Sequence, residues 1–244
     1  MPEGPSIVIL KELIEALHLE GEQVLAVSGN TKIEKERMLH QEVTDFKSWG
    51  KHFLICFKGF SLRIHFLMFG TYRINERKES PARLSLSFDG AELNFYTCSL
   101  KFVEGDINDS YDWSADVMAK EWDPKKALKK VKTKPAALIC DVLLNQDLFA
   151  GVGNIIKNEV LYRVGIHPLS HVEKIPTAKL KLLIAEASLY SFDFLEWKKA
   201  YVLKKHWLVH TKKFCPLGHP LEKAHLGKTK RRTFYCLICQ RLYT

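Results

Sequence analysis

The clearest chemistry lies near the C-terminus, where Cys215, His219, Cys236 and Cys239 follow the spacing Cys-x3-His-x16-Cys-x2-Cys. Zinc prefers four sulfur and nitrogen ligands in a tetrahedron, and a closed four-ligand set is structural rather than catalytic. Each ligand pair is close enough to sit on one hairpin knuckle, and Gly218 beside His219 helps such a turn. The loop between the pairs, Lys228-Thr-Lys-Arg-Arg-Thr233, would carry its charge out on the hairpin. A metal would then order a small basic hairpin that has too little core to hold itself. Cys56, Cys98 and Cys140 stand alone in apolar surroundings and read as small core residues. Clustered Cys/His in a chain with no secretory signal points to metal, not to disulfides.

A second group able to do chemistry is Gly151-Val-Gly-Asn154. Two glycines let a backbone approach closely, and a following helix N-terminus presents free N–H groups to a phosphate. Asn154 adds a side-chain amide donor. Taken alone, the same tetrapeptide also suits a structural helix–helix turn. Charge placement favours a polyanion. The net charge is +9, and residues 201–244 alone hold ten Lys/Arg and one acid, Glu222. The other 200 residues balance 27 basic against 27 acidic side chains. A strongly basic end on a neutral body suggests an anionic partner. Trp207, Phe234, Tyr235 and Tyr243 run through it, which argues against a solvated disordered tail.

The elements that must position these groups read as α+β. After Pro2-Glu-Gly-Pro5, the apolar residues Ile7, Leu10, Ile14 and Leu17 recur at helical steps. From about Val24 to Phe102 the chain alternates as strands, for example at 53–57, 62–66 and 84–88, with Asp89-Gly90 as a hairpin signal. Residues 103–125 are acidic and turn-rich, a plausible hinge. Helical patterns follow at 134–146, 153–164 and 176–190. The expected domains are a β-sandwich with a leading helix over 1–120, a helical domain over 125–200 and a finger over 205–244. The hydrophobic content of 46% and charged content of 27% are those of a globular chain. No apolar run reaches membrane-spanning length, and the first ten residues lack a signal peptide's basic region and cleavage site. An intracellular chain is expected, nucleoid-associated in a prokaryotic cytoplasm or nuclear in a eukaryote.

These motifs, in this order, resemble the formamidopyrimidine-DNA glycosylase / endonuclease VIII family. The resemblance spans nearly the whole chain. It is carried by Pro2-Glu3-Gly4-Pro5 after the initiator Met, by Gly50-Lys51 entering a strand, by Leu148-Phe-Ala-Gly-Val-Gly-Asn-Ile155 running on through Asn158-Glu159 to Gly165-Ile-His-Pro168, and by the finger with Arg231-Arg-Thr-Phe-Tyr-Cys236. It implies a helix–two-turn–helix domain, a β-hairpin zinc finger and the repair of damaged DNA by base excision. It also implies that the amino group of Pro2, once Met1 is removed, is the nucleophile. An α-amino group titrates near about 7.7–8.0, so about a tenth is neutral at pH 7, far more than for an ordinary lysine. In the same terms Glu3 is the acid/base residue, Lys51 reaches the lesion-side phosphate and sugar, Gly153 and Asn154 grip a phosphate, and Arg231 is the finger arginine. A target base must leave the duplex to react. The loop His65-Phe-Leu-Met-Phe-Gly70 matches the one that fills the hole, with Leu67, Met68 and Phe69 as wedge and Met68 its tip.

The chain also departs from the family. Ser6 stands where many members carry a second acid. Leu100-Lys101-Phe102 replaces an Arg-Arg-Phe segment, so Lys101 can meet a phosphate but Leu100 cannot replace an arginine facing the orphan base. The stretch between His167 and Cys215 is too short for the loop that covers oxidised purines, and the finger has Cys-x3-His where four cysteines are usual. These differences favour the endonuclease VIII-like branch and oxidised pyrimidines. The expectation is a monomeric bifunctional glycosylase/lyase with structural zinc, damaged DNA as partner and no membrane. The alternatives are a catalytically inactive relative that binds damaged or single-stranded DNA, and an RNA-associated protein.

Overall fold

The computed structural model describes residues 2–244, which divide into a unit ending at Asp112 and a unit beginning at Trp113. The first unit opens with helix α1, Gly4–Glu15, which has proline in its first turn and buries Ile7, Leu10 and Ile14 at steps of three and four. Leu17, expected on the same face, lies beyond the helix end. Six antiparallel strands follow: β1 (Ala26–Ser28), β2 (Val43–Trp49), β3 (His52–Phe57), β4 (Phe60–Ile74), β5 (Leu84–Phe88) and β6 (Ala91–Glu104). Their order in the sheet is β1-β5-β6-β4-β3-β2.

The expected β-sandwich is present, made by folding one sheet on itself. Pairing between β4 and β6 breaks between Phe66 and Thr71. Phe53 on β3 and Phe95 on β6 are not on neighbouring strands, yet their rings lie 6.2 Å apart. Flat neighbouring strands sit about 4.8 Å apart, so this ring contact reports strong curvature. The enclosed core takes Ile7, Leu10 and Ile14 together with Phe46, Phe53, Ile64 and Phe95. Two-residue turns join β2 to β3, β3 to β4 and β5 to β6. Gly50 (φ 54°) and Gly90 (φ 71°) adopt the left-handed backbone that such hairpins need. The unit closes with the short helix α2, Ile107–Ser110, capped by Asp106 accepting a bond from the Asn108 N–H.

The second unit holds α3 (Pro124–Lys132), α4 (Ile139–Leu144), α5 (Asn154–Arg163), α6 (Thr177–Lys199) and the hairpin strands β7 (Glu222–Leu226) and β8 (Arg231–Tyr235). Three of these differ from the sequence expectation. The helix expected over 134–146 is only α4, because Pro135 lacks an N–H and forces its predecessor out of helical geometry. An unforeseen helix, α3, precedes it. The last helix runs nine residues past 190 because Tyr190, Phe194 and Leu195 continue its buried stripe. The helices share a core of Phe149, Val152, Ile156, Val160, Leu183 and Tyr190. Cys56, Cys98 and Cys140 are buried, as expected of core residues. Among the described residues no helix is long and apolar enough to cross a membrane.

Candidate active site and nucleic-acid interface

In the first unit, Glu3 holds the N-cap position of α1 with extended backbone, and its carbonyl accepts the Ser6 N–H at 2.8 Å. Glu3 is only 4% exposed. Helix α1 packs on β2 and β3, whose connecting turn is Gly50-Lys51. Residues far apart in sequence, Pro2-Glu3 and Lys51, thus belong to adjoining elements. Met1 lies outside the described residues.

Beneath Lys51 sits an aromatic and imidazole cluster. His65 Nδ1 is 3.2 Å from the Lys51 carbonyl oxygen. The His52 and His65 rings meet edge-on at 5.3 Å, and Trp49 packs on both His52 and Tyr111. His52 Nδ1 is 3.2 Å from the Tyr111 hydroxyl. Burial, reinforced by the nearby charges of Arg63, His65 and Lys51, pushes His52 down to about 3. Burial lowers His65 as well. Both imidazoles of this cluster are therefore neutral at physiological pH, beside the charges of Arg63 and Lys51.

Leu67, Met68 and Phe69 occupy the interruption in the β4–β6 ladder. Phe66 pairs with Cys98 and Thr71 with Tyr96, so four residues on β4 face one, Thr97, on β6. The loop turns outward, leaving Leu67, Met68 and Phe69 exposed by 46%, 55% and 78%. Apolar residues in a strand are usually core, and here they are not. Three adjacent exposed hydrophobes form a wedge able to enter a base stack. Lys101, next to half-buried Leu100, is exposed on β6.

In the second unit, Gly153 caps α5 and Asn154 begins it. The Asn154 amide nitrogen donates to the Arg232 carbonyl at 2.8 Å, so this side chain already anchors the finger strand. Gly151 is left-handed (φ 96°), and its N–H donates to Gln146 Oε1 at 3.1 Å. Arg231 begins β8 and is half-buried. Asp141 on α4 accepts the Lys228 N–H through both carboxylate oxygens, at 2.9 and 3.1 Å. Gly227 (φ 72°) packs so closely on that carboxylate that any Cβ there would collide with it. The tip of the hairpin is thereby pinned to α4. No sequence signal distinguished Asp141 from an ordinary helix acid.

Glu159 was legible only as part of a motif. Its buried carboxylate collects the N–H groups of Leu208, Val209 and His210 at 2.8, 3.0 and 2.7 Å. Burial nevertheless raises it above the usual carboxylate range. Asn158 Nδ2 reaches His210 Nδ1 at 3.0 Å. Residues 158 and 159 thus lash the segment entering the finger to α5.

Cys215, His219, Cys236 and Cys239 converge, their ligand atoms all within 4.8 Å of one another. Cys215 Sγ lies 3.6 Å from His219 Nδ1 and 3.8 Å from Cys239 Sγ, and His219 Nδ1 lies 3.3 Å from Cys239 Sγ. A zinc tetrahedron with ordinary bond lengths has S–S edges of about 3.8 Å and S–N edges of about 3.6 Å. The four residues can hold such an ion through His219 Nδ1. Although burial raises the Cys215 thiol, hydrogen bonds from the Tyr162 hydroxyl and from backbone N–H groups of His219 and Leu217 bring it down to about 6. That favours the thiolate a metal requires.

The comparisons agree with this architecture. The formamidopyrimidine-DNA glycosylase N-terminal domain matches residues 1–102, and the formamidopyrimidine-DNA glycosylase H2TH domain matches 114–189. Endonuclease 8-like 2 of Bos taurus is 30% identical over 237 residues, covering 82% of this chain and 70% of that protein. Endonuclease 8-like 2 of Homo sapiens is 32% identical over 196 residues, covering 73% of this chain and 57% of that protein. The chain therefore spans little more than half the length of the human relative. A crystal structure of Lactococcus lactis formamidopyrimidine DNA glycosylase, non-covalently bound to DNA containing an AP site, shares the fold with a TM-score of 0.86 at 19% identity, over 98% of this chain and 99% of that one. The chain belongs to the formamidopyrimidine-DNA glycosylase / endonuclease VIII family of DNA repair glycosylases.

Proposed function

We propose that the protein is a bifunctional DNA glycosylase/AP lyase that removes oxidised bases, chiefly pyrimidines, through the amine of Pro2. The observation that carries this reading is Glu3. It is an acid withdrawn from water, and it adjoins the proposed nucleophile at the start of a helix. In the proposed reaction the Pro2 nitrogen attacks C1′, the C1′–N bond breaks, and the base leaves with a proton. Glu3 protonates O4′ as the sugar ring opens, leaving an iminium between Pro2 and C1′. Loss of a C2′ proton expels the 3′ phosphate, a second elimination expels the 5′ phosphate, and water frees the amine. Lys51 holds the phosphate and sugar on the lesion side. The Leu67-Met68-Phe69 wedge fills the space the base vacates. Gly153, Asn154, Lys101 and Arg231 hold the backbone, and zinc at Cys215, His219, Cys236 and Cys239 keeps the finger in shape.

The preference for pyrimidines rests on Leu100 and on the short 168–214 stretch. Neither supplies the arginine or the cover that reading an oxidised purine would use. The protein is proposed to act as a monomer on damaged DNA, in the nucleoid-associated cytoplasm of a prokaryote or the nucleus of a eukaryote. The test is borohydride trapping on an abasic oligonucleotide. Wild-type protein should give a covalent band, Glu3→Gln should lose it, and Pro2→Gly should alter it. No band from zinc-loaded, DNA-binding protein would make the chain an inactive damage-binding relative. Faster excision of 8-oxoguanine opposite cytosine than of 5-hydroxyuracil would overturn the pyrimidine preference.

A further inference from the structure

Helix α3 is a cationic surface that neither the finger nor the phosphate turn accounts for. Its nine residues hold five lysines, at 125, 126, 129, 130 and 132, and no acid. Ala127 and Val131 are buried, while Lys125, Lys126, Lys129 and Lys132 are exposed. Positions 125, 129 and 132 follow steps of four and three. They form one stripe about 10 Å long at 1.5 Å per residue.

Helix electrostatics disfavours this arrangement. Like charges three or four residues apart repel, and Lys125–Lys129 and Lys129–Lys132 are such pairs. Lys125 and Lys126 also sit in the first turn, at the positive end of the helix dipole. Asp123, the acid just before the helix, has its Oδ1 engaged as the cap by the Lys125 and Lys126 N–H groups at 2.8 and 3.0 Å. Among the described residues no carboxylate pairs with Lys125, Lys129 or Lys132. Repulsion of this kind persists at no net loss when an external polyanion neutralises it.

The helix is also in the right place. Lys130 Nζ donates to the Asp147 carbonyl at 3.0 Å, which sets α3 beside the turn that leads to Gly153. Beyond α3, Lys134 and Asn145 line a groove of about 930 Å³ together with Lys228 and Thr229 of the finger tip. Helix α3 thus stands next to the turn that leads to the proposed phosphate contact at Gly153, with its stripe of lysines on a separate, exposed face.

We infer that the exposed lysine stripe of α3 is an accessory binding site for the nucleic-acid phosphate backbone. It extends the footprint past the lesion and reads neither base nor damage. This rests on the reading of the unit as DNA-binding. Neutralising phosphates releases condensed counterions, so each contact steepens the salt dependence of affinity.

The experiment compares K125Q/K129Q/K132Q, K125R/K129R/K132R and wild type, all zinc-loaded and full-length. Glutamine keeps helix propensity, so the first variant should fold. Affinity for an undamaged duplex several turns long is measured against salt, with phosphatidylserine vesicles and a short abasic oligonucleotide in parallel. The glutamine variant should lose about 0.9 of slope for each lysine in contact, up to about 2.7 for three. The arginine variant should keep the wild-type slope, and borohydride capture on saturating short abasic DNA should be equal in all three. An unchanged slope on duplex in the glutamine variant overturns the proposal. A loss confined to vesicles also overturns it, in favour of a membrane contact. Slope loss on duplex with no capture by any of the three proteins would sink the lyase reading and leave the stripe standing.

Discussion

The ammonium of Lys157 lies 2.7 Å from the hydroxyl of Thr233, and both side chains are buried, at 1% exposure each. Thr233 in turn donates to the Arg231 carbonyl at 3.0 Å. Asn154, one turn before Lys157, donates to the Arg232 carbonyl. Two positions on one face of α5 therefore hold three successive residues of β8, and the first of those is the proposed DNA-contacting arginine. Thr233→Val keeps the shape and removes one acceptor from a buried ammonium. It should lower stability by about 1–3 kcal/mol, read as a lower urea midpoint at unchanged m-value. Thr233→Ser should restore most of that loss. A valine variant as stable as wild type would show that the contact contributes nothing.

Gly70 and Thr97 face each other at the base of the wedge. A Cβ at Gly70 would lie 2.7 Å from the Phe66 Cβ and 2.7 Å from the Thr97 carbonyl oxygen. Thr97 itself is left-handed at φ 50°, a conformation that β-branched residues rarely adopt. Gly70→Ala should force the loop to move, destabilise by about 1–3 kcal/mol and reduce excision from duplex DNA more than capture on an abasic single strand. Thr97→Asn should be neutral or stabilising by up to about 1 kcal/mol, since asparagine tolerates the left-handed region. Equal stability of the alanine variant and wild type would show that the loop has room the geometry denies.

The patterns legible in the sequence were those with short periods or short spacings. The strands at 53–57, 62–66 and 84–88 alternate, and the ligands at 215, 219, 236 and 239 sit on local knuckles. Helix α3 was missed because its apolar face is only Ala127, Leu128 and Val131, too little to register as periodicity among five lysines. Balanced charge over the first 200 residues also hid it, since the acids lie elsewhere in the sequence. Asp141, Lys157 and His52 were invisible for another reason. Their partners are 87, 76 and 59 residues away, and nothing local marks them as different from surface residues of the same type.

His52 gives stability a pH dependence. Its folded pKa, near 3, lies below the ordinary 6.5. The unfolded chain therefore binds a proton that the folded chain refuses between those values. Stability is fully present above about 6.5 and is lost as pH falls toward 3. Between pH 7 and pH 5 this one group should lower unfolding free energy by about 2 kcal/mol. Urea titrations at the two pH values, on wild type and His52→Asn, measure it. The asparagine variant should show a correspondingly flatter profile. Identical pH profiles would mean that His52 takes up its proton alike in the folded and the unfolded chain.

Tyr162 ties the proposed metal centre to α5. Its hydroxyl hydrogen-bonds the Cys215 sulfur, and its ring packs on the finger's own small core of Val209, Cys215, Phe234 and Cys236. Groups that hydrogen-bond a metal ligand orient it and tune its basicity, and their loss commonly weakens metal affinity about 10–100-fold. Tyr162→Phe should therefore bind one zinc per chain, as wild type does, but release it to a chelator at a concentration about tenfold lower. The packing is kept, so the zinc-loaded variant should melt with wild type and bind duplex equally well. Chelated to completion, both proteins should lose duplex binding together, because the ligands hold the hairpin's knuckle end, while Asp141 at its tip and Asn154 and Lys157 along β8 hold the rest. Retention of duplex affinity in metal-free protein would mean that Asp141, Lys157 and Asn154 suffice to hold the finger and that the four ligands are not its organising centre.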